Sequence, residues 1–278
     1  MRGGLAAWIV AFVLYSAVGW AWECVYCSLY ERRPVNRGFL NGPWCPIYGA
    51  GACLDAMLFS GVRNPVALFL AGAVACSCLE YATSWAMEAA FHARWWDYSH
   101  RRLNLHGRVC AAGACLFGAG TIAICLFVQP ALDDALASWP PLLLAPVATL
   151  LAVAMACDLA VTLLGLSGFR TMASRMGAQL AETLQEHLPD ASALSAAQDW
   201  LGQVADLGDT GRRLLDAVRE LGADVARSRQ AEELRRGLRR VLTSQERRVL
   251  DAFPNLRATY ARDLARVARE RLRDLVGR

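Results

Sequence analysis

Four carboxylates lie inside long apolar stretches of this sequence: Glu23, Asp55, Glu80 and Asp158, with Glu88 near the end of one stretch. An acid in an apolar helix is costly, so it faces a bundle interior or a watery path and marks binding, ion movement or proton relay. Helical spacing gives each acid its surroundings. Gly72, Cys76, Glu80, Ser84 and Glu88 recur every fourth residue. Ser16, Gly19, Glu23 and Cys27 form a second stripe, Gly118, Thr121 and Cys125 a third, and Ala154, Asp158, Thr162 and Gly165 a fourth. Small residues let helix backbones approach, and polar ones pair across the contact. At 1.5 Å per residue, Glu23, Glu80 and Asp158 fall roughly 21–27 Å from one side of the bundle, with Asp55 nearer the middle. The three deeper acids are therefore expected to converge, with Arg37 and Arg108 as natural counter-ions. They would line an inward-facing polar cavity for a cation or a zwitterionic solute. The plainer alternative is a set of structural ion pairs and helix–helix hydrogen bonds.

Other chemistries find less support. Cys24 and Cys27 make a C-x-x-C, but within an apolar helix and without a βαβ context. All ten cysteines lie in or beside apolar stretches, as small packing residues do. His92, His100, His106 and Cys110 match no zinc spacing, so no metal or other cofactor is expected. There is no G-x-x-x-x-G-K-[ST], so ATP hydrolysis by a P-loop would need a separate subunit. Asp97, Asn104 and His106 form a polar cluster at headgroup level, the one hint of lipid chemistry. No nucleophile–base pair accompanies it, and the chain is not expected to be an enzyme.

The elements that must position these residues are membrane spans. The chain has 278 residues, 55% hydrophobic and 19% charged, with a net charge of +4 and a mean hydropathy of +0.27. Soluble domains carry about 25% charge. Residues 1–167 hold nine arginines and nine acids, whereas residues 168–278 hold 20 arginines and 16 acids; lysine is absent. This excludes a single soluble enzyme, a secreted disulfide scaffold and a disordered chain. It predicts an all-α polytopic membrane helix bundle over residues 1–167, with a charged helical tail over 168–278. A span needs roughly 20 apolar residues. Five stretches come close, at about 5–27, 44–60, 65–91, 107–128 and 141–166, the second short and glycine-rich. The first reads as a retained signal anchor rather than a cleaved leader.

Cytoplasmic loops collect arginine. Arg32, Arg33 and Arg37 follow the first stretch, and Arg94, Arg101, Arg102 and Arg108 follow the third. The turns after the second and fourth carry Arg63 alone and Asp133–Asp134. The expected topology in the plasma membrane is therefore N-terminus outside and tail cytoplasmic, with membrane lipid as the surrounding partner.

Two connections are unusual. The first reads NRGFLNGPWCPIYG from Asn36, with prolines that keep regular helix from starting before about Pro46. Irregular backbone at membrane depth is tolerated only when buried in protein or lining a cavity; an ordinary interfacial turn is the alternative. The second carries WWDYS at Trp95–Ser99 and LNLHGRVC at Leu103–Cys110. An aromatic belt accounts for its tryptophans better than for Asp97, Asn104 or Arg108.

With YSAVGWAWE in the first stretch, these motifs resemble the Putative ABC-transporter type IV family of small, mostly bacterial multi-pass membrane proteins. The resemblance runs from about Val10 to Phe117. By position it picks out Glu23, Asn36, Arg37, Gly38, Gly42, Pro43, Cys45, Pro46, Tyr48, Gly49, Glu80, Trp96, Asp97, Tyr98, Asn104, Gly107 and Arg108. It implies a permease-like subunit served by a separate ABC ATPase. Together with Asp55 and Asp158, the ligand or transport residues expected are Glu23, Asn36, Arg37, Glu80, Asp97, Tyr98, Asn104 and Arg108. Five spans are few for a complete pathway, which favours a homo-oligomer.

The tail has apolar residues at helical spacing, such as Leu214, Val218, Leu221 and Val225, then Leu256, Tyr260, Leu264 and Val267. Three or four amphipathic helices are expected, with Thr243-Ser244-Gln245-Glu246 as a capping box opening one of them. Interleaved acids and the lack of a base-stacking aromatic series argue against nucleic acid. A non-transporting scaffold or sensor, using the tail to bind partners, is the alternative function.

Overall fold

The computed structural model describes residues 4–32, 34–91 and 94–168 and, in the tail, 174–175, 177–178, 181–182, 243–253, 256, 266–271 and 273. The chain forms two compact units, Met1–Met87 with Trp96–Leu164, and Glu88–Trp95 with Gly165–Arg278.

The first unit is an all-α membrane bundle. Helix α1 spans Gly4–Glu31, α2 Pro46–Phe59, α3 Pro65–Phe91, α4 Ala111–Ala123, α5 Gln129–Ala137 and α6 Pro141–Gly165. A π-helical turn, Ile124–Val128, joins α4 to α5. Pro130 explains that turn, because a proline lacks an N–H and its ring crowds the carbonyl four residues back. The joined helix is one 27-residue apolar span, Ala111–Ala137. With α1, α3 and α6 it makes four helices among the described residues that are long and apolar enough to cross a membrane.

The second expected span differs. Helix α2 has 14 residues, about 21 Å of rise, against a hydrocarbon core of roughly 30 Å. It begins at Pro46, whose missing N–H suits the first position of a helix. Ala52 of α2 packs with Ala11 and Tyr15 of α1 in one buried cluster. A second cluster joins Ala7 and Val10 of α1 to Leu136 of α5 and to Leu144 and Ala148 of α6. Outward-facing side chains such as Leu14, Val18, Val74, Leu116 and Leu150 are apolar, as a lipid-facing surface requires.

The α3–α4 connection folds into a hairpin, β1 (Asn104–Leu105) against β2 (Val109–Cys110). Its turn closes with Arg108 N–H on the Leu105 carbonyl, at 3.0 Å. His106 and Gly107 both take positive φ, 54° and 69°, as a type I′ turn demands.

In the second unit, helix α7 (Ser244–Ala252) opens with the expected capping box. Thr243 Oγ1 accepts from the Glu246 N–H at 3.1 Å, and Glu246 Oε2 accepts from the Thr243 N–H at 2.8 Å. Fully buried, Glu246 also pairs with Arg175 at 2.6 Å. Trp95 sits edge-on to Phe253, ring centroids 4.9 Å apart. The expected helix at Leu214–Val225 falls outside the described residues, and of that through Leu256 and Val267 the described positions, 256 and 266–271, are helical.

Candidate functional site

The irregular segment after α1 climbs back along that helix. Val35 N–H donates to Ser28 Oγ at 2.9 Å, and Arg37 N–H to Cys24 Sγ at 3.2 Å. Trp20 Nε1 donates to Asn36 Oδ1 at 3.0 Å, and Cys45 N–H to the Ser16 carbonyl at 2.9 Å. From Ser28 to Ser16 the ascent is about 18 Å along α1. Ser16 lies near the middle of α1, so α2 starts at mid-bundle and runs back towards the α1 N-terminus. The segment is therefore re-entrant rather than an interfacial turn, and its N–H groups find acceptors on α1 and α6 as burial in an apolar bundle requires.

Two acids fasten it. Asp158 of α6 accepts four N–H bonds: Asn41 N (3.0 Å) and Nδ2 (2.9 Å) on Oδ1, and Gly42 N (2.7 Å) and Trp44 Nε1 (2.8 Å) on Oδ2. Thr162, one turn on, accepts from Asn41 Nδ2 as well, at 2.9 Å. Glu23 of α1 holds Arg37 through a 3.0 Å Nε–Oε2 bond and accepts from Tyr48 OH at 2.7 Å. Tyr48 packs against Gly19, where any Cβ would overlap its side chain, so the glycine in the α1 stripe is what lets the phenol reach Glu23.

Glu80 belongs to the hairpin side of the same region. Its Oε1 accepts from Tyr98 OH at 3.1 Å, while Oε2 is buried without a hydrogen-bond partner. Glu23 lies within electrostatic reach of Glu80, and Tyr98 within reach of both Tyr48 and Glu23. Burial, then the negative charge of Glu80, pushes the Tyr98 phenol well above its ordinary value. Asp55 of α2 is 1% exposed and links three helices. It accepts from Thr121 Oγ1 of α4 at 2.7 Å and from Cys76 Sγ of α3 at 3.5 Å.

The expected three-acid convergence is thus rearranged. Glu23 and Asp158 grip the re-entrant segment, while Glu80 is tied to the hairpin and stays within reach of Glu23 alone. Arg37 is a counter-ion, as its position suggested. Arg108 instead stacks over the Tyr81 ring, 5.4 Å from its centroid, and its carbonyl accepts from Trp96 Nε1. The remaining expected residues shape backbone. Asn36 anchors the segment to Trp20, and Asp97 accepts from the Ser99 N–H and hydroxyl. Asn104 ties Ser99, Arg101 and Gly107 within the hairpin.

Asn41, Trp44, Tyr48 and Thr121 carry more of the site than their sequence context suggested. The available signal was the row of Gly42, Pro43 and Pro46: a segment that cannot be helix must find outside acceptors for its N–H groups. A recess of about 240 Å³ opens at the π turn, bordered by Arg63, Gln129, Asp133 and Asp134. A shallower one of about 520 Å³ runs along Cys24, Ser28, Arg32 and Pro34. Neither is bordered by Glu23, Glu80 or Asp158. All ten cysteines are free thiols, and among the described residues no three His, Cys, Asp or Glu side chains gather as a metal site.

A model of the family described as Putative ABC-transporter type IV matches residues 10–163, more than half of the chain. The match extends beyond the motifs of the first 117 residues to α6 and includes Asp158 and Thr162. No curated protein and no solved structure matches the chain.

Proposed function

Because the chain belongs to the Putative ABC-transporter type IV family, we propose that it is a permease-like membrane subunit. It has no ATPase or other enzymatic activity of its own and works with a separate ABC ATPase at its cytoplasmic face. The observation that supports this reading is the re-entrant segment ending at the mid-bundle start of α2. Broken helices at membrane depth are how transporters present backbone and side-chain polar groups to a solute. Glu23, Arg37, Tyr48, Tyr98 and Glu80 form the binding cluster, closed in this conformation. It opens as an inward-facing pocket when the segment 36–45 leaves α1. The arginines after α1 and α3 support a topology with those connections and the tail in the cytoplasm and the N-terminus outside.

Two measurements test this. Purification from native membranes should bring down a P-loop ATPase. A screen of cations, amino acids and other small solutes should yield one that thermally stabilises the wild type but not Glu80→Gln. Recovering neither an ATPase nor a stabilising solute refutes the permease reading.

A further inference from the structure

The polar cluster contains one atom that its own partners do not explain. Glu80 is 8% exposed, and Tyr98 OH serves Oε1. Oε2 has no partner and faces Gly113 of α4, 4.0 Å from where a side chain there would begin. A buried carboxylate oxygen left without a donor is costly, because desolvation is not repaid. Glu23 aggravates this, as a second acid within electrostatic reach. Glu23 has its own guanidinium and phenol, whereas Glu80 has one phenol.

The groups in electrostatic reach of Glu80 are Glu23 on α1, Cys76 on α3 and Tyr98 on the hairpin, and Tyr98 in turn reaches Tyr48 on α2 and Cys110 on the hairpin. None of these is a cation; Arg37 is engaged with Glu23, and Arg108 of the hairpin lies over the Tyr81 ring. Neither of the two recesses described above is bordered by Glu80, and a proton is the smallest group that would satisfy Oε2 without displacing a neighbour.

We infer that Glu80 is a proton-binding site of the bundle, taking and releasing one proton at Oε2 while Tyr98 holds Oε1. The step is a simple acid–base exchange: a proton from solvent joins the carboxylate to give a neutral carboxylic acid, and no other bond changes. A buried carboxyl group with one oxygen held and the other left without a donor can change state during a working cycle. The hydrogen bond to Tyr98 passes that change to the hairpin. The inference rests on the cluster being the working site of the bundle, but its test needs no solute and no ATPase.

The test is infrared difference spectroscopy of the full-length protein in liposomes, stepped from alkaline to acidic pH, in H2O and D2O. Proton uptake is counted in parallel with an indicator dye. Wild type should gain a carboxylic acid carbonyl band and take up one proton that Glu80→Gln does not. Tyr98→Phe should keep the band but shift it, since a donor to the same group is lost, and Asp55→Asn should leave it in place. A wild-type band that persists in folded Glu80→Gln, or no band in the wild type, overturns the assignment. Should Glu80→Gln not fold, the Tyr98→Phe spectrum decides, and an unshifted band overturns it. A proton at Glu80 without any partner ATPase leaves this site standing while removing the permease reading; the reverse result removes only the proton.

Discussion

Removing the Asp158 carboxylate should release the re-entrant segment without unfolding the bundle. Asp158→Ala deprives four N–H groups of their acceptor, two of them backbone groups of Asn41 and Gly42. A hydrogen bond to a charged group contributes about 1.5–3 kcal/mol, and each stranded buried donor costs about 1–3 kcal/mol. These contributions are not additive within one network, and Asp158 is only half-buried, so the lower end applies. The change should therefore favour opening of residues 36–45 by about 3–4 kcal/mol, or roughly two to three powers of ten in the open population at 1.4 kcal/mol per tenfold.

Cys45 reports that opening. Its thiol is 7% exposed, and its N–H is fixed to Ser16 at the top of the climb. Alkylation followed by site-resolved mass spectrometry should show Cys45 labelled at least about 100-fold faster in Asp158→Ala, where the rate follows the open population. Cys76 and Cys125, buried around Asp55, should keep their wild-type rates. Asp158→Asn keeps one acceptor oxygen but turns an NH2 towards two donors, so it should fall between the two. An unchanged Cys45 rate in Asp158→Ala would refute the latch. Equal acceleration at Cys76 would show that the bundle, not the segment, has opened.

Gly72→Ala should cost about 1–3 kcal/mol of thermal stability, because the added methyl would overlap Thr121 and part it from Asp55. Gly120→Ala, with open space around it, should be neutral in the same melting assay. Thr243→Ala should destabilise α7 by about 1 kcal/mol, read as faster amide exchange at Glu246. Tyr98, whose folded value is raised, contributes stability that is complete below the unfolded phenol value of about 10. That contribution is lost as pH rises from there through the folded value. Tyr98→Phe should therefore lose less stability than wild type between neutral pH and strongly alkaline buffer. Parallel melting curves that fall equally would contradict it.

The spans were legible because their signals are local. Twenty-odd apolar residues, proline at the start of α3 and α6, and a Thr-x-x-Glu before α7 each act within a few turns of their own helix. The stripes were legible for the same reason, and the acids they carry do face protein. What spacing along one helix cannot encode is which neighbour an acid meets. Glu23, Glu80 and Asp158 sit at similar depths, and depth alone predicted one meeting point. The pairing was decided by the segment between α1 and α2, whose N–H groups at Asn41 and Gly42 draw Asp158 from one side and whose Arg37 draws Glu23 from the other. That segment's path is set by long-range demand: Gly42, Pro43 and Pro46 exclude helix, and the acceptors its N–H groups find lie on helices 13 and 116 residues away in sequence, as the Arg37–Cys24 and Gly42–Asp158 bonds show. The short α2 follows from it, since 18 Å of the return is made by irregular chain and about 21 Å of helix remains to complete it. One local fact, that prolines forbid helix before Pro46, thus turned an expected fifth span into a half-span with its start at mid-bundle, and that start is where the polar cluster is assembled.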